Sequence, residues 1–256
     1  MSYTIDEQNI ERQQLLAAIL NPATRDVLAR LPKLSSAKVL DIGCGQGNTT
    51  RLLVDVLAPQ SCVGVDFDES LVAYATAHPD NPAAITFQRD DATQLSFSDE
   101  TFDVVFCRFL LIHMSDPVRV VREMLRVLKP GGFVVAFEAD FAYEMAYPPA
   151  PALASINKIW QGLFQDPSAG RKLVSYFRAA GARDIQAGAA LQLEHGASTM
   201  KRVYRLTAEA TAPAAVAKGV LTETEAREMI DGLTLLEEDP SSVMIRFPDV
   251  WAVGRR

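Results

Sequence analysis

Apolar and polar positions follow a regular order along the middle of this chain. Short, nearly continuous apolar runs alternate with longer stretches in which apolar residues recur at helical spacing, which follow three of the five runs. The apolar runs lie at residues 39–42, 61–65, 85–87, 102–107 and 133–137, and the helical stretches at 49–57, 71–77 and 117–128. Strands that are apolar on both faces and alternate with helices indicate a doubly wound α/β fold.

The segments on either side of this alternation read mainly as helices. Residues 6–20 have amphipathic spacing, which predicts a helix that ends at Asn21-Pro22, and a second helix is predicted from 23 to 31. A helical insertion is predicted over 198–232, where Thr222 and Glu225 have the spacing of a capping box.

Two further strands are predicted in the second half of the chain. The sixth covers 184–187 and 191–193, and the last covers 244–247 and 250–253, with a break at Pro248. We therefore predict one domain over 1–256. This domain comprises cap helices in 1–34, a Rossmann-like core in 35–197 and 239–256, and a helical insertion in 198–238.

Three glycines follow the first strand, and a helix begins directly after them. Gly43, Gly45 and Gly47 allow a sharp turn that exposes backbone N–H groups to a nucleotide-like ligand. A dinucleotide fingerprint would need a glycine at position 48, which is Asn48, and no lysine with a Ser/Thr partner follows as in a P-loop. The turn therefore predicts a different nucleotide-like ligand.

The second strand ends at Asp66, about twenty residues after the glycine turn, where a doubly wound fold places the carboxylate that binds ribose hydroxyls. A carboxylate suits this task because it only accepts hydrogen bonds, and two hydroxyls offer two donors. The alternative, a helix N-cap, is already supplied by Asp68 or Ser70.

Four segments in this order resemble those of the class I S-adenosylmethionine-dependent methyltransferases, in particular the branch that acts on small molecules. They are D-x-G-x-G-x-G at 41–47, the acidic end of the second strand at 66, D-A-T-Q-L-S-F at 91–97 and R-V-L-K-P-G-G at 126–132. The third segment has Ser96 where the family has proline. The resemblance implies a seven-stranded sheet with an antiparallel last strand, a helical cap, and S-adenosylmethionine as cofactor with S-adenosylhomocysteine as product.

The resemblance also implies which residues bind the cofactor. Asp66 would take the ribose, Phe67 would pack on the adenine, and Asp91 with the N–H of Ala92 would meet the adenine edge; Asp90 leaves an ambiguity of one residue. The glycine turn contributes Asp41, Gly43, Cys44, Gly45 and Asn48. Tyr3 and Arg12 of the cap are further candidates, Arg12 for the cofactor carboxylate, although a solvated arginine is an open alternative.

The fourth strand supplies the candidates for catalysis. Ligands of open α/β sheets lie at the carboxyl ends of the strands, so we expect Cys107 and Arg108 to face the cofactor. His113 follows a few residues later and can act as a general base beside Arg108 if the methyl acceptor is a hydroxyl. A histidine packed between strand and helix is the open alternative.

Composition narrows the function further. The formal net charge of −7 argues against a nucleic-acid partner, and no apolar run has the length of a membrane span. Three cysteines (Cys44, Cys62, Cys107) and the absence of a basic leader sequence predict a reduced, cytoplasmic protein. No residue cluster has the spacing of a metal site, and the sequence leaves the oligomeric state open.

The expected reaction is methyl transfer to an O, N or C atom of a small, largely apolar molecule. Aromatic residues at 137–164 favour an apolar acceptor, although core packing explains them equally well. A protein of this fold that binds S-adenosylmethionine without methylating, either cyclase-like or regulatory, remains an alternative. A nucleic-acid or protein methyltransferase is disfavoured by the acidic balance and by the lack of an N-P-P-Y-type tetrapeptide after the fourth strand.

Overall fold

The computed structural model describes residues 6–34 and 36–256. The strands are β1 (Lys38–Ile42), β2 (Ser61–Asp66), β3 (Ile85–Arg89), β4 (Phe102–Arg108), β5 (Leu128–Ala139), β6 (Met145–Tyr147), β7 (Arg183–Ala190), β8 (Leu193–His195), β9 (Val243–Ile245) and β10 (Asp249–Arg255). The α-helices are α1 (Glu7–Leu28), α2 (Asn48–Leu57), α3 (Glu69–Ala77), α4 (Pro117–Val127), α5 (Pro151–Leu163), α6 (Ala169–Ala180), α7 (Thr199–Ala217) and α8 (Glu223–Glu238). A 3-10 turn spans Leu111–His113.

Seven strands form the main sheet in the order β3-β2-β1-β4-β5-β10-β7. Strands β1 to β5 pair in parallel, whereas β10 lies antiparallel between β5 and β7. The predicted doubly wound sheet with an antiparallel last strand is therefore confirmed. Strand order reverses between β1 and β4, and ligands of such sheets bind outside the carboxyl ends of the strands at this switch point.

The central strands are buried on both faces, as their continuous apolar runs indicate. Val39, Leu40 and Ile42 of β1 are each at most 1% exposed. One face of the sheet packs against α2 and the end of α1, and the other packs against α4 and α6. This packing fixes the strand ends that carry the candidate site. No helix of the described residues combines the length and apolar content needed to cross a membrane.

The first helix is longer than the sequence predicts. Instead of two helices divided at Asn21-Pro22, α1 runs without a break from Glu7 to Leu28 with Pro22 inside it. Proline removes one helical hydrogen bond. Tertiary contacts on either side of Pro22 offset that loss, because Arg108 donates to the side-chain oxygens of Asn21 and Thr24, both at 3.1 Å.

A small second sheet was not predicted. Strands β6, β9 and β8 pair antiparallel in that order, so the predicted sixth strand is divided between β7 of the main sheet and β8 of the small one. The predicted last strand is likewise divided into β9 and β10. The chain turns between them because the fully buried Arg246 donates to both oxygens of the Asp249 carboxylate.

The capping box predicted at the start of α8 is confirmed. Thr222 accepts the N–H of Glu225 at 3.2 Å, and the Glu225 carboxylate accepts the N–H of Thr222 at 2.8 Å. Together α7 and α8 pack on each other, and α7 also packs on α1, above the carboxyl ends of the parallel strands.

Candidate functional site

A cavity of about 790 Å³ opens at the carboxyl ends of β1, β2 and β4 and extends under α1 and α7. This volume lies in the range of small-molecule sites. One end, called here the glycine-turn end, is lined by Gly43–Gln46, Asn48, Asp66, Phe67 and Asp90–Thr93. The other, called here the aromatic end, is lined by His113, Phe141, Trp160, Phe164, Tyr204 and Phe247. One continuous space therefore joins two chemically different surfaces.

The glycine turn has the left-handed backbone that its sequence predicts. Gly43, Gly45 and Gly47 have φ angles of 72°, 51° and 78°. A Cβ atom at Gly47 would lie 2.7 Å from the ring of Phe87, so this position has no room for a side chain. The cavity is lined by Gly43, Cys44, Gly45 and Asn48. Nothing lies within 4 Å of a Cβ built at Gly45, which leaves that backbone open to a ligand.

Asp41 lies behind this turn and does not line the cavity. Its carboxylate is fully buried and accepts the hydroxyl of Thr50 at 2.7 Å. Burial raises the pKa of Asp41 to about 6, although the Thr50 bond opposes the rise. The side chain therefore supports the turn and α2 from behind the cavity, and the assignment of Asp41 to cofactor binding stays a prediction.

Asp66 and Phe67 both line the cavity where β2 ends. The Asp66 carboxylate accepts the N–H of Gly45 at 2.9 Å and the N–H of Asp68 at 3.0 Å, so it links the glycine turn to the next strand end. Asp68, and not Asp66, caps α3. The ring of Phe67 is 66% exposed, and the Arg89 guanidinium lies 4.9 Å from its centroid. A planar group can stack on this ring.

Asp90 and Asp91 also line the cavity, but their carboxylates are used differently. Both oxygens of Asp90 accept hydrogen bonds from Ser96, so this side chain closes its own loop. Asp91 accepts the N–H and hydroxyl of Thr93 through a single oxygen, Oδ1. These bonds lower the pKa of Asp91, the N–H of Thr93 first. The loop therefore uses both carboxylate oxygens of Asp90 but only Oδ1 of Asp91, which makes Asp91 the better candidate to bind a ligand.

The aromatic end is a set of rings in mutual contact. Phe141 stacks on Trp160 at 4.9 Å and on Phe164 at 5.2 Å between centroids, and Phe247 meets Phe141 edge-on at 4.6 Å. His113 also meets Phe164 edge-on, at 5.1 Å. Burial among these groups lowers the pKa of His113 to about 4, so the imidazole is neutral at physiological pH. A neutral imidazole can accept a proton, and a pKa near 4 makes it a weaker base than an ordinary histidine.

The two residues that end β4 point in different directions. Arg108 lines the cavity, and its guanidinium bonds to α1, with burial lowering its pKa to about 10. Cys107 is fully buried with its Sγ 4.0 Å from the Sδ of Met124, and it does not line the cavity. Successive strand residues face opposite sides of a sheet. The side chain of Cys107 therefore lies away from the cavity, and its assignment to the cofactor site stays a prediction.

The cap contributes Arg12, which lines the cavity although it is only 5% exposed. It donates to the side-chain oxygen of Asn9 from Nε at 3.1 Å and from Nη2 at 2.8 Å. A buried guanidinium at the cavity wall differs from the solvated arginine that the sequence left as an alternative. Tyr3 lies outside the described residues.

Several residues of the site were not predicted from the sequence. Met200, Val203 and Tyr204 of α7 line the aromatic end, and Phe247 follows the small sheet. Tyr204 is 2% exposed, and its hydroxyl donates to Glu144 at 2.6 Å. These segments are distant in the sequence from the glycine turn, and only their spacing on amphipathic elements could have singled them out.

Comparisons with known proteins agree with this geometry. Residues 40–136 match a family model described as a methyltransferase domain. Over 150 residues the chain is 31% identical to a ubiquinone biosynthesis O-methyltransferase of Coxiella burnetii, which covers 50% of this chain and 62% of that protein. The chain spans less than two thirds of the length of the curated relatives it first matches, 56% and 62%.

Solved structures share the fold over nearly the whole chain. The YcgJ protein of Bacillus subtilis superposes with a TM-score of 0.61 at 23% identity, covering 93% of this chain and 99% of that one. A phosphoethanolamine N-methyltransferase 2 of Haemonchus contortus, in complex with phosphomonomethylethanolamine and S-adenosylhomocysteine, superposes with a TM-score of 0.57 at 19% identity. That match covers 95% of this chain and 53% of the other.

Proposed function

The chain belongs to the class I S-adenosylmethionine-dependent methyltransferase family, and from this premise we propose that it transfers the sulfonium methyl group to a small, largely apolar molecule. The acceptor atom is an O, N or C nucleophile. The observation that carries the proposal is the single cavity that joins the glycine-turn end to the aromatic end. A reaction between two bound molecules needs such a shared space.

The glycine-turn end fits S-adenosylmethionine. Asp66 lies where it can accept the ribose hydroxyls, and the exposed ring of Phe67 offers a face for the adenine. Asp91 and Ala92 also line the cavity, and in this proposal the Asp91 carboxylate and the N–H of Ala92 bind the adenine edge. The open backbone at Gly45 and the buried guanidinium of Arg12 are suited to the amino-acid part of the cofactor. Bound there, the cofactor supplies an activated methyl group and leaves as S-adenosylhomocysteine.

The aromatic end fits an apolar, ring-containing acceptor. Its walls are aromatic side chains together with Met200 and Val203 of α7. Displacement at a methyl group requires mainly alignment of the two reactants and exclusion of water. The cap helices enclose the cavity, and the neutral imidazole of His113 lies at its acceptor side as a candidate base. Arg108 also lines the cavity, and its bonds to α1 favour a role in positioning the cap.

The remaining parts of the proposal follow from charge and cysteine chemistry. A net charge of −7 favours a small-molecule partner over nucleic acid. The three cysteines are all free and buried, which suits a reducing compartment, and we propose the cytoplasm.

The decisive experiment is to incubate the protein with S-adenosylmethionine and apolar ring compounds that carry hydroxyl, amino or enolic groups. We expect S-adenosylhomocysteine to accumulate only with an acceptor that gains one methyl group, measured by mass spectrometry. A cyclase-like activity would be favoured by three results together: tight binding of S-adenosylmethionine in calorimetry, no formation of S-adenosylhomocysteine, and conversion of the small molecule without a change in its mass. Binding with no conversion of any acceptor would favour a regulatory protein.

A second prediction concerns the cap. Helices α1 and α7 enclose the cavity and are joined by the half-exposed ion pair of Glu11 and Arg202, a type of contact that contributes little to stability. We therefore expect residues 6–31 and 198–232 to open locally without ligand and to close with it. At a ligand concentration about 100 times the dissociation constant, amide exchange in these segments should slow by up to about a hundredfold.

The measurement is hydrogen exchange with and without S-adenosylhomocysteine, read by mass spectrometry. Helices α4 and α6 pack on each other outside the cap and serve as the internal control, with protection expected to change less. Equal protection of the cap in the two states would show that it is a fixed part of the domain.

A further inference from the structure

Glu138 is a fully buried carboxylate at the end of β5 that the chemistry proposed above does not use. Its Oε1 accepts two backbone N–H groups, from Leu110 at 2.9 Å and from Leu111 at 2.6 Å. Its Oε2 accepts the N–H of Ile112 at 3.4 Å. Three consecutive backbone N–H groups of the turn at residues 109–113, those of Leu110, Leu111 and Ile112, therefore all point at one side chain.

This turn begins from a backbone conformation that is unfavourable for its residue. Phe109 has a φ of 55°, in the left-handed region that residues with a Cβ rarely adopt. Its N–H donates to the carbonyl of Phe137 at 2.8 Å, the residue before Glu138. Such conformations persist only where surrounding contacts determine them, and they cluster at functional sites. The bonds from Phe137 and Glu138 supply those contacts.

The same turn contacts both ends of the cavity. Leu110 packs on the glycine turn so closely that a Cβ at Gly43 would lie 3.1 Å from its Cδ1. Three residues further on, His113 lies edge-on to Phe164 at the aromatic end. Glu138 itself does not line the cavity. It can affect the site only through the turn that it holds.

We propose that Glu138 is a positioning residue. It accepts hydrogen bonds from the backbone N–H groups of the 110–113 turn, which fixes that turn and so holds the His113 imidazole at the aromatic end of the cavity. The expected effect on turnover rests on the proposed methyl transfer. The expected effect on the position of His113 does not depend on that reaction, so an experiment can contradict the proposed function and the role of Glu138 independently.

Reach and the carboxyl group itself can be separated by substitution. Burial raises the pKa of Glu138 to about 8. Glu138→Gln keeps a side-chain oxygen at the same distance but removes the titratable carboxyl. Glu138→Asp keeps the carboxyl but withdraws it by one methylene. Glu138→Met keeps the length and offers no oxygen. Positioning through hydrogen bonds predicts that Gln retains the native arrangement, whereas Asp and Met do not.

The measurement is the NMR titration of the histidine imidazoles. The chain has three histidines, and the signal of His113 is assigned as the one missing from His113→Gln. In the Asp and Met variants we expect the His113 midpoint to move upward by at least about one unit toward 6.5, because a displaced ring regains solvent. In the Gln variant it should stay near that of the native chain. Asp166, whose negative charge adds to the effect of burial on the pKa of Glu138, remains unchanged in all variants.

Asp103→Asn is the matched control, since Asp103 also accepts a backbone N–H, from Lys38 at 2.8 Å, but at the opposite end of the sheet. It should leave the His113 titration unchanged. Once an acceptor is known, kcat should fall roughly tenfold to a hundredfold in the Asp and Met variants and much less in Gln, with the affinity for S-adenosylmethionine kept. An unchanged His113 titration in folded Asp and Met variants, or a shift in Gln but not in Asp, would overturn the proposal.

Discussion

Replacing Asp66 by alanine should weaken the binding of S-adenosylmethionine by one to two orders of magnitude. The carboxylate lines the cavity at the end of β2, where two hydroxyls of a ribose can donate to it. Loss of a charge-assisted pair of hydrogen bonds costs about 2–3 kcal/mol, and each 1.4 kcal/mol is about tenfold in the dissociation constant. Calorimetric titration measures this change directly.

Asp66 has a second role that the experiment has to separate. Its Oδ2 accepts the N–H of Gly45, so alanine also frees the glycine turn. Asp66→Asn keeps an oxygen for Gly45 while it removes the charge and one acceptor, and we expect an intermediate loss of affinity. Asp116→Ala is the matched control, because Asp116 caps α4 and does not line the cavity; it should lower the melting temperature and leave the affinity for S-adenosylmethionine unchanged. Unchanged affinity in folded Asp66→Ala would remove Asp66 from the cofactor site.

The parallel sheet and the glycine turn could be predicted because their signals are local. The apolar run of β1, the turn at Gly43–Gly47 and the start of α2 are contiguous in the sequence, and each predicts the next. The capping box at Thr222 is equally local, and it is present. Such features depend on neighbouring residues alone, so no knowledge of the tertiary structure is needed to find them.

Features that depend on distant residues were missed. The continuity of α1 through Pro22 requires Arg108, far along the chain, to bond with Asn21 and Thr24. The small sheet brings together β6, β8 and β9 from three separate segments. Nothing in the sequence near Glu138 indicates that it accepts the amides of Leu110 and Leu111.

Side-chain direction at the strand ends is the other feature that the sequence did not determine. Along a strand, a shift of one residue exchanges the two faces of the sheet. Motif spacing correctly located the ends of β1 and β4, but it did not determine that Asp41 supports α2 or that Cys107 packs on Met124. Arg108, the next residue, faces the cavity instead. Residue identity at a strand end therefore predicts a site less well than the position of the strand.

Replacing His113 should have the largest effect on turnover if the acceptor is a hydroxyl. Removal of a general base typically costs about a hundredfold to ten-thousandfold in rate, and both His113→Ala and His113→Gln should show it with the affinity for S-adenosylmethionine kept. If the imidazole only orients the acceptor, glutamine should restore much of the loss. His195→Ala is the control, because His195 is exposed on β8 and absent from the cavity wall.

The pH dependence of turnover and of stability gives a second, independent test of the role of His113. Burial lowers the pKa of His113 to about 4, so a base in this position is active above that pH and loses activity as the pH falls through about 4, not through 6.5. The unfolded chain, with an ordinary pKa, binds this proton more tightly, so acidification from 6.5 toward 4 also lowers the free energy of unfolding. His113→Gln should remove that part of the acid sensitivity, measured by denaturant unfolding at several pH values.

Near-normal turnover in both His113→Ala and His113→Gln, with a lowered melting temperature, would make His113 a packing residue against Phe164.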